Sequence, residues 1–224
     1  MKRVYSALLA LAALGFGLVG LPRLLQHMSK HPQDGLADWK GAQLFFAGHS
    51  PYTPEGLREM GMSTFGHPPT TPFWFLPLAH LEQGRFSTVL GCIVLFVLLA
   101  HLLIVALELR VPRPHLHAAL VFAVVLCTPW MAAHAEAAQV SELIAFFYVL
   151  AWVQLRRGLD LPAGIALGLA TTFKLFPALV ILFFLCARRW RVVQGALGAY
   201  LAVALIMTTR YGWKSWYLFL TLQG

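Results

Sequence analysis

The chain has 224 residues, 59% of them apolar and only 12% charged, with a mean hydropathy of +0.70. Soluble domains carry about 25% charged residues, so the composition excludes an ordinary soluble fold and describes an integral membrane protein. The net charge of +8 is spread over short basic clusters between apolar runs, a topology signal rather than a nucleic-acid surface. Cys92, Cys127 and Cys186 lie inside apolar runs without metal-ligand spacing, so no disulfide framework is expected.

Val4 to Leu21 is an unbroken apolar run after "MKR". It lacks a small-residue cleavage site and further spans follow, so it is read as an uncleaved first span with a cytoplasmic N-terminus rather than as a signal peptide. Residues 22–85 read as an outer loop. Within it Leu36, Trp39, Gln43 and Phe46 recur at helical spacing, and Gly48 is a helix stop. "TPEGLREMG" predicts a second short helix, capped by Thr53, with Pro54 in its first turn and Gly61 at its end. The two helices are expected to lie at the interface and frame a cavity mouth; the alternative is an inert amphipathic surface helix. Thr71 to Leu81 is apolar but shorter than the about 20 residues a crossing needs, which predicts a re-entrant segment.

Residues 86–209 hold the further spans. Phe86 to Leu109, His115 to Trp130, Val140 to Leu155 and Val192 to Thr209 each read as one. Pro162 to Ala187 is cut by Lys174 and Pro177 and predicts two shorter helices. Residues 210–224, opening with "RYGWKSWY", read as an outer interfacial segment. If Thr71 to Leu81 dips rather than crosses, and the chain turns back at Lys174, then "MKR", "RVPR", Arg156–Arg157 and "RRWR" all face the cytoplasm. The expected architecture is therefore all-α: one polytopic membrane domain of about seven transmembrane helices with interfacial helices in the first outer loop. The expected location is the cell (inner or plasma) membrane, with the functional side outward. Of the nine acids, Asp34, Asp38, Glu55, Glu59, Glu82, Glu136 and Glu142 then lie on or near the outer side, where costly ionisable groups mark sites.

Asp38 is the leading carboxylate. Beside Trp39 and near the interface it can serve as a base; the alternative is an acid favoured by a helix N-terminus. Asp34, in "PQDG", is the rival and reads as a solvated turn. His67 precedes two prolines in "GHPPTTP", so its backbone is expected to be extended. It either points its ring at a substrate or forms part of a structural turn. In "HAEAAQVSE", Gln139 and Ser141 can line a cavity and Glu136 can pair with His134; the spacing is weak evidence for a metal, and none is expected. Lys174 costs about 2.5–3.5 kcal/mol at mid-helix. It either holds an anion such as phosphate or snorkels to the headgroups.

The pieces "ADW", "AGHSPY", "HPPTTPFWFLPLAHL", "AAQVS", "AGIALGLATTFKLFP" and "ARRWR", in this order from Ala37 to Arg191, resemble glycosyltransferase family 87. These are polyprenyl-phosphate-dependent membrane glycosyltransferases of the GT-C class. The family shows a tyrosine where His67 stands, and a glycine and an asparagine where Ala138 and Ser141 stand, departures that bear on the substrate. The family's members are longer and carry further spans, so the chain is read as a fragment, a truncated product or a short relative.

The resemblance implies a hexosyltransferase, specifically a mannosyltransferase of the cell envelope. It would take a polyprenyl-phosphate-linked sugar donor and a lipid or glycan acceptor among the membrane lipids, with no cofactor and no nucleic acid. Asp38 matches the family's early acid and would take the acceptor proton, and the sugar would transfer with inversion. Lys174 and Arg210 would bind the leaving phosphate. Trp39, Tyr52, His67, His134, Gln139 and Ser141 would contact substrate. Two other readings remain at this level. One is a transporter or lipid flippase using the broken helix at Lys174. The other is a truncated, non-catalytic chain that binds polyprenyl lipid.

Overall fold

The computed structural model describes residues 2–28 and 33–222. In chain order its α-helices are α1 (Lys2–Met28), α2 (Gln33–Ala47), α3 (Pro54–Met60), α4 (Gln83–Glu108), α5 (Pro114–Leu126), α6 (Pro129–Ala137), α7 (Ser141–Arg156), α8 (Asp160–Phe173), α9 (Ala178–Cys186), α10 (Trp190–Tyr211) and α11 (Lys214–Leu222). A 3-10 helix runs over Thr71–Leu78. Every regular element among the described residues is helical, so the chain is an all-α membrane protein. Among those residues Val4–Leu24, Gln83–Glu108 and Trp190–Tyr211 are long and apolar enough to cross a bilayer. α5 and α6, bent by 75° at their junction, make a fourth crossing if they form one span.

Three local outcomes differ from the sequence reading, the first being that the expected span from His115 to Trp130 breaks after Leu126 and bends into α6. α1 continues through Pro22 to Met28 instead of stopping at Leu21; a proline near a helix end removes one hydrogen bond without ending the helix when the surrounding run is apolar. α2 begins at Gln33, so Asp34 is helical rather than in a turn; its side chain, like that of Glu136, lies outside the described residues.

The chain divides into two compact units. The first comprises residues 1–35 and 83–149, with α1, α4, α5, α6 and most of α7. α1 crosses α5 at Gly20, where an added Cβ would overlap Leu126 and Cys127. Without strong hydrophobic drive between helices in lipid, such small residues let backbones approach. The α5–α6 bend has a local cause. Thr128 donates to the Val125 carbonyl at 2.7 Å, ending α5, and accepts from Met131 N at 3.2 Å, capping α6.

The second unit comprises residues 36–82 and 150–224. α8 and α10 lie against each other through Gly164, Gly168 and Gly195, where any Cβ would overlap the backbone of the facing helix. α8 stops at Phe173, Lys174 is extended, and α9 resumes after Pro177, the break the sequence predicts. The polar insert is ordered as predicted around α3: Thr53 Oγ1 accepts from Gly56 N at 3.1 Å, Pro54 opens the helix, and Gly61 ends it at φ +66°. Tyr52, Met60 and Phe65 pack with Ala37 and Leu44 of α2 and Phe219 of α11 into one apolar cluster. The 3-10 segment has 8 residues, spans about 16 Å at about 2 Å per residue and is too short to cross a hydrocarbon core of about 30 Å.

Candidate active site

Asp38 lies six residues into α2, beyond the first turn, and is only 1% exposed. The helix dipole fades within one turn, so that alternative does not account for a carboxylate here. Its companion is His67: Asp38 Oδ1 is 2.6 Å from His67 Nδ1. A buried charge is expensive unless paired and hydrogen-bonded, and His67 supplies the pairing. With Nδ1–H donated to the carboxylate, the neutral tautomer carries its lone pair on Nε2.

His67 is held in turn. The Tyr52 hydroxyl donates to the His67 carbonyl, and the His67 ring lies 5.7 Å from that of Phe65. Burial pushes the Tyr52 phenol well above its usual range, with the Tyr211 phenol and the Asp38 carboxylate adding to the effect, so Tyr52 acts as a neutral donor. Trp39 is 7% exposed and gives its indole N–H to the Leu78 carbonyl at 3.0 Å. Gln43 binds the Ala79 carbonyl at 3.1 Å, so one face of α2 is fastened to the end of the 3-10 helix. In this arrangement Trp39 and Tyr52 are packed anchors, 7% and 2% exposed.

The segment after His67 is fastened to the helix break. Thr70 donates to the Thr172 carbonyl and Thr71 to the Phe173 carbonyl, each at 2.8 Å. These are end-of-helix carbonyls that α8 cannot satisfy itself. Trp74 donates to Thr172 Oγ1 at 2.7 Å and stacks on Phe173 at 4.6 Å. Half-buried Lys174 follows at once, so the lysine and the Asp38–His67 pair sit on elements joined by these hydroxyls. Sequence reasoning passed over Thr70, Thr71, Trp74 and Thr172; the only signal was the repeated "TT" in "PPTTPFW" and "ATTFK". Arg210 is exposed in the last turn of α10, next to Tyr211, whose hydroxyl donates to the Gly41 carbonyl at 2.6 Å.

His134, Gln139 and Ser141 belong to the other unit. His134 Nδ1 lies 3.2 Å from Glu142 Oε1, and that carboxylate is 2% exposed. His134 thus faces Glu142, while the side chain of Glu136, its expected partner, lies outside the described residues. The cause is local: α6 ends on Ala138 in the left-handed region at φ +49°, and the chain folds back so that α7 presents Glu142. Ser141 Oγ donates to Gln139 Oε1 at 3.3 Å. His134, Gln139 and Glu142 border a small cavity of about 30 Å³ whose lining also includes Ser87, Leu90 and Met131. Among the described residues no three His, Cys, Asp or Glu side chains converge as a metal site.

Comparison with known proteins gives three findings. The chain is 28% identical over 199 residues to a Mycobacterium tuberculosis polyprenol-phosphate-mannose-dependent alpha-(1-2)-phosphatidylinositol mannoside mannosyltransferase. The similarity covers 82% of this chain and 46% of that protein, so the chain spans about half the length of this relative. No solved structure matches. The family model for glycosyltransferase family 87 matches residues 65–223, from just before His67 to the end of α11, and the chain belongs to that family.

Proposed function

We propose that the chain forms the base-bearing part of a membrane mannosyltransferase that uses a polyprenyl-phosphate-linked sugar and a lipid or glycan acceptor. The observation that carries this reading is the Asp38–His67 pair: a carboxylate 1% exposed, 2.6 Å from a histidine whose side chain is 23% exposed. Asp38 is the general base, and the proton of the acceptor hydroxyl reaches it by way of His67, the more accessible member. The acceptor oxygen forms its bond to the anomeric carbon with inversion. The bond from that carbon to the phosphate oxygen breaks, and polyprenyl phosphate leaves with the electron pair. Lys174 at the helix break and Arg210 stabilise that charge. The N-terminus is cytoplasmic and the Asp38 side faces outward across the cell membrane, with about seven crossings. The family membership, the donor dependence of the mycobacterial relative and the basic clusters support this reading.

The test gives membrane vesicles carrying this chain labelled polyprenyl-phospho-mannose and a lipid acceptor. Asp38→Asn should lower transfer by about 10²–10⁴, the range of general-base catalysis. Equal transfer by wild type and Asp38→Asn would remove Asp38 from the role, and no transfer by wild type would remove catalysis by this chain alone.

A further inference from the structure

The connection from α4 to α5, "RVPRPH", is not used by the reaction, and four features meet there. Arg110 and Arg113 both take φ of +54°, a left-handed conformation costly for a side-chain-bearing residue and one that clusters where function holds it. Neither arginine is paired with a carboxylate among the described residues. The Arg113 guanidinium lies 5.8 Å from the centroid of the Tyr5 ring, and its Nη1 is buried with no hydrogen-bond acceptor. That nitrogen is closed off by the protein, while Arg113 as a whole stays half-buried and Arg110 is exposed. Arg113 is also the N-cap of α5, with no side-chain cap on that helix end, so the positive end of the helix dipole adds to the two guanidinium charges.

His117 completes the corner. Its Nε2 is 2.9 Å from the Tyr5 hydroxyl, and its Nδ1 faces the Arg113 carbonyl at 3.3 Å. Tyr5 and Arg113 are thereby fixed relative to each other. The surroundings are apolar and exposed: Val4 and Leu8 on α1, Leu107 and Leu109 at the end of α4. All these residues belong to the first unit.

We propose that this corner binds the phosphate headgroup of an anionic phospholipid. Half-buried Arg113 meets the phosphate through the part of its guanidinium other than Nη1, the planar shape of arginine matches phosphate geometry, and exposed Arg110 adds charge. The exposed leucines and valine of α1 and α4 lie where the acyl chains of such a lipid run. This favours a lipid over a free anion, and the site is independent of the transfer reaction.

The test titrates phosphatidylglycerol into the detergent-solubilised full chain and counts bound lipid by native mass spectrometry. Inorganic phosphate runs as a parallel arm. Wild type should retain one lipid saturably. Arg113→Gln should weaken that retention about tenfold, equivalent to about 1.4 kcal/mol. Arg113→Lys, which keeps charge and loses the fork, should fall between them and serves where the glutamine variant folds poorly. Arg191→Gln, in a basic cluster of the other unit, should leave retention unchanged. Equal losses from Arg113→Gln and Arg191→Gln, or no saturable lipid, would overturn the site. Displacement of the lipid by millimolar inorganic phosphate would overturn the headgroup assignment in favour of a free anion.

Discussion

Replacing His67 by Phe keeps an aromatic ring against Phe65 and removes the donor facing Asp38. Asp38 stays 1% exposed, so its charge loses the partner at 2.6 Å without gaining water. Breaking a fully buried ion pair costs about 3–5 kcal/mol, and a hydrogen bond to a charged group is worth about 1.5–3 kcal/mol. His67 retains 23% side-chain exposure, which places this pair in the lower range, about 2–3 kcal/mol. Equilibrium unfolding in mixed micelles, followed by tryptophan fluorescence, measures it. Asp38→Asn removes the charge that needs a partner, so the double variant Asp38→Asn/His67→Phe should cost less than the sum of the two single changes by about 1–2 kcal/mol. Strict additivity, or a His67→Phe variant within about 0.5 kcal/mol of wild type, would refute the claim that His67 compensates a buried carboxylate.

Ala138→Gly should stabilise the first unit by about 0.5–1 kcal/mol, because Ala138 sits at φ +49° and glycine relieves a left-handed penalty of about 1–2 kcal/mol while losing part of it to unfolded-chain entropy. A lower midpoint in the same unfolding experiment would contradict that geometry. Tyr52 gives an alkaline signature. Its folded-state pKa lies above the unfolded value of 10.0, so below pH 10 both states keep the proton, and above it the unfolded chain ionises first. Stability should therefore fall as pH rises past 10 in wild type, and this slope should be shallower in Tyr52→Phe; identical slopes would mean that Tyr52 ionises as freely in the folded chain.

Much of the fold was legible from residue type and spacing. The helix over α3 follows from the Thr53 cap, Pro54 and Gly61, all acting within a few residues. The stop after α2 follows from Gly48, which takes φ +76°. The break at Lys174 follows from a lysine and a proline in an apolar run. The family resemblance was readable because six short pieces keep their order, and its link to Ala138 now has a physical basis, since the position the family fills with glycine is a left-handed helix end.

The site was only partly legible. The sequence by itself determined that the chain is an all-helical membrane protein with a carboxylate at position 38 and a histidine before two prolines, because hydropathy and backbone chemistry are local properties. Only the tertiary structure decided that Asp38 and His67 face each other, that Trp39 is turned to the Leu78 carbonyl, that His134 meets Glu142, and that Thr70 and Thr71 close the end of α8. Apart from His134 and Glu142, which lie on neighbouring helices, these are contacts between residues far apart in the chain. Their partners are chosen by which buried polar group lacks a hydrogen bond, and spacing along the sequence carries no record of that.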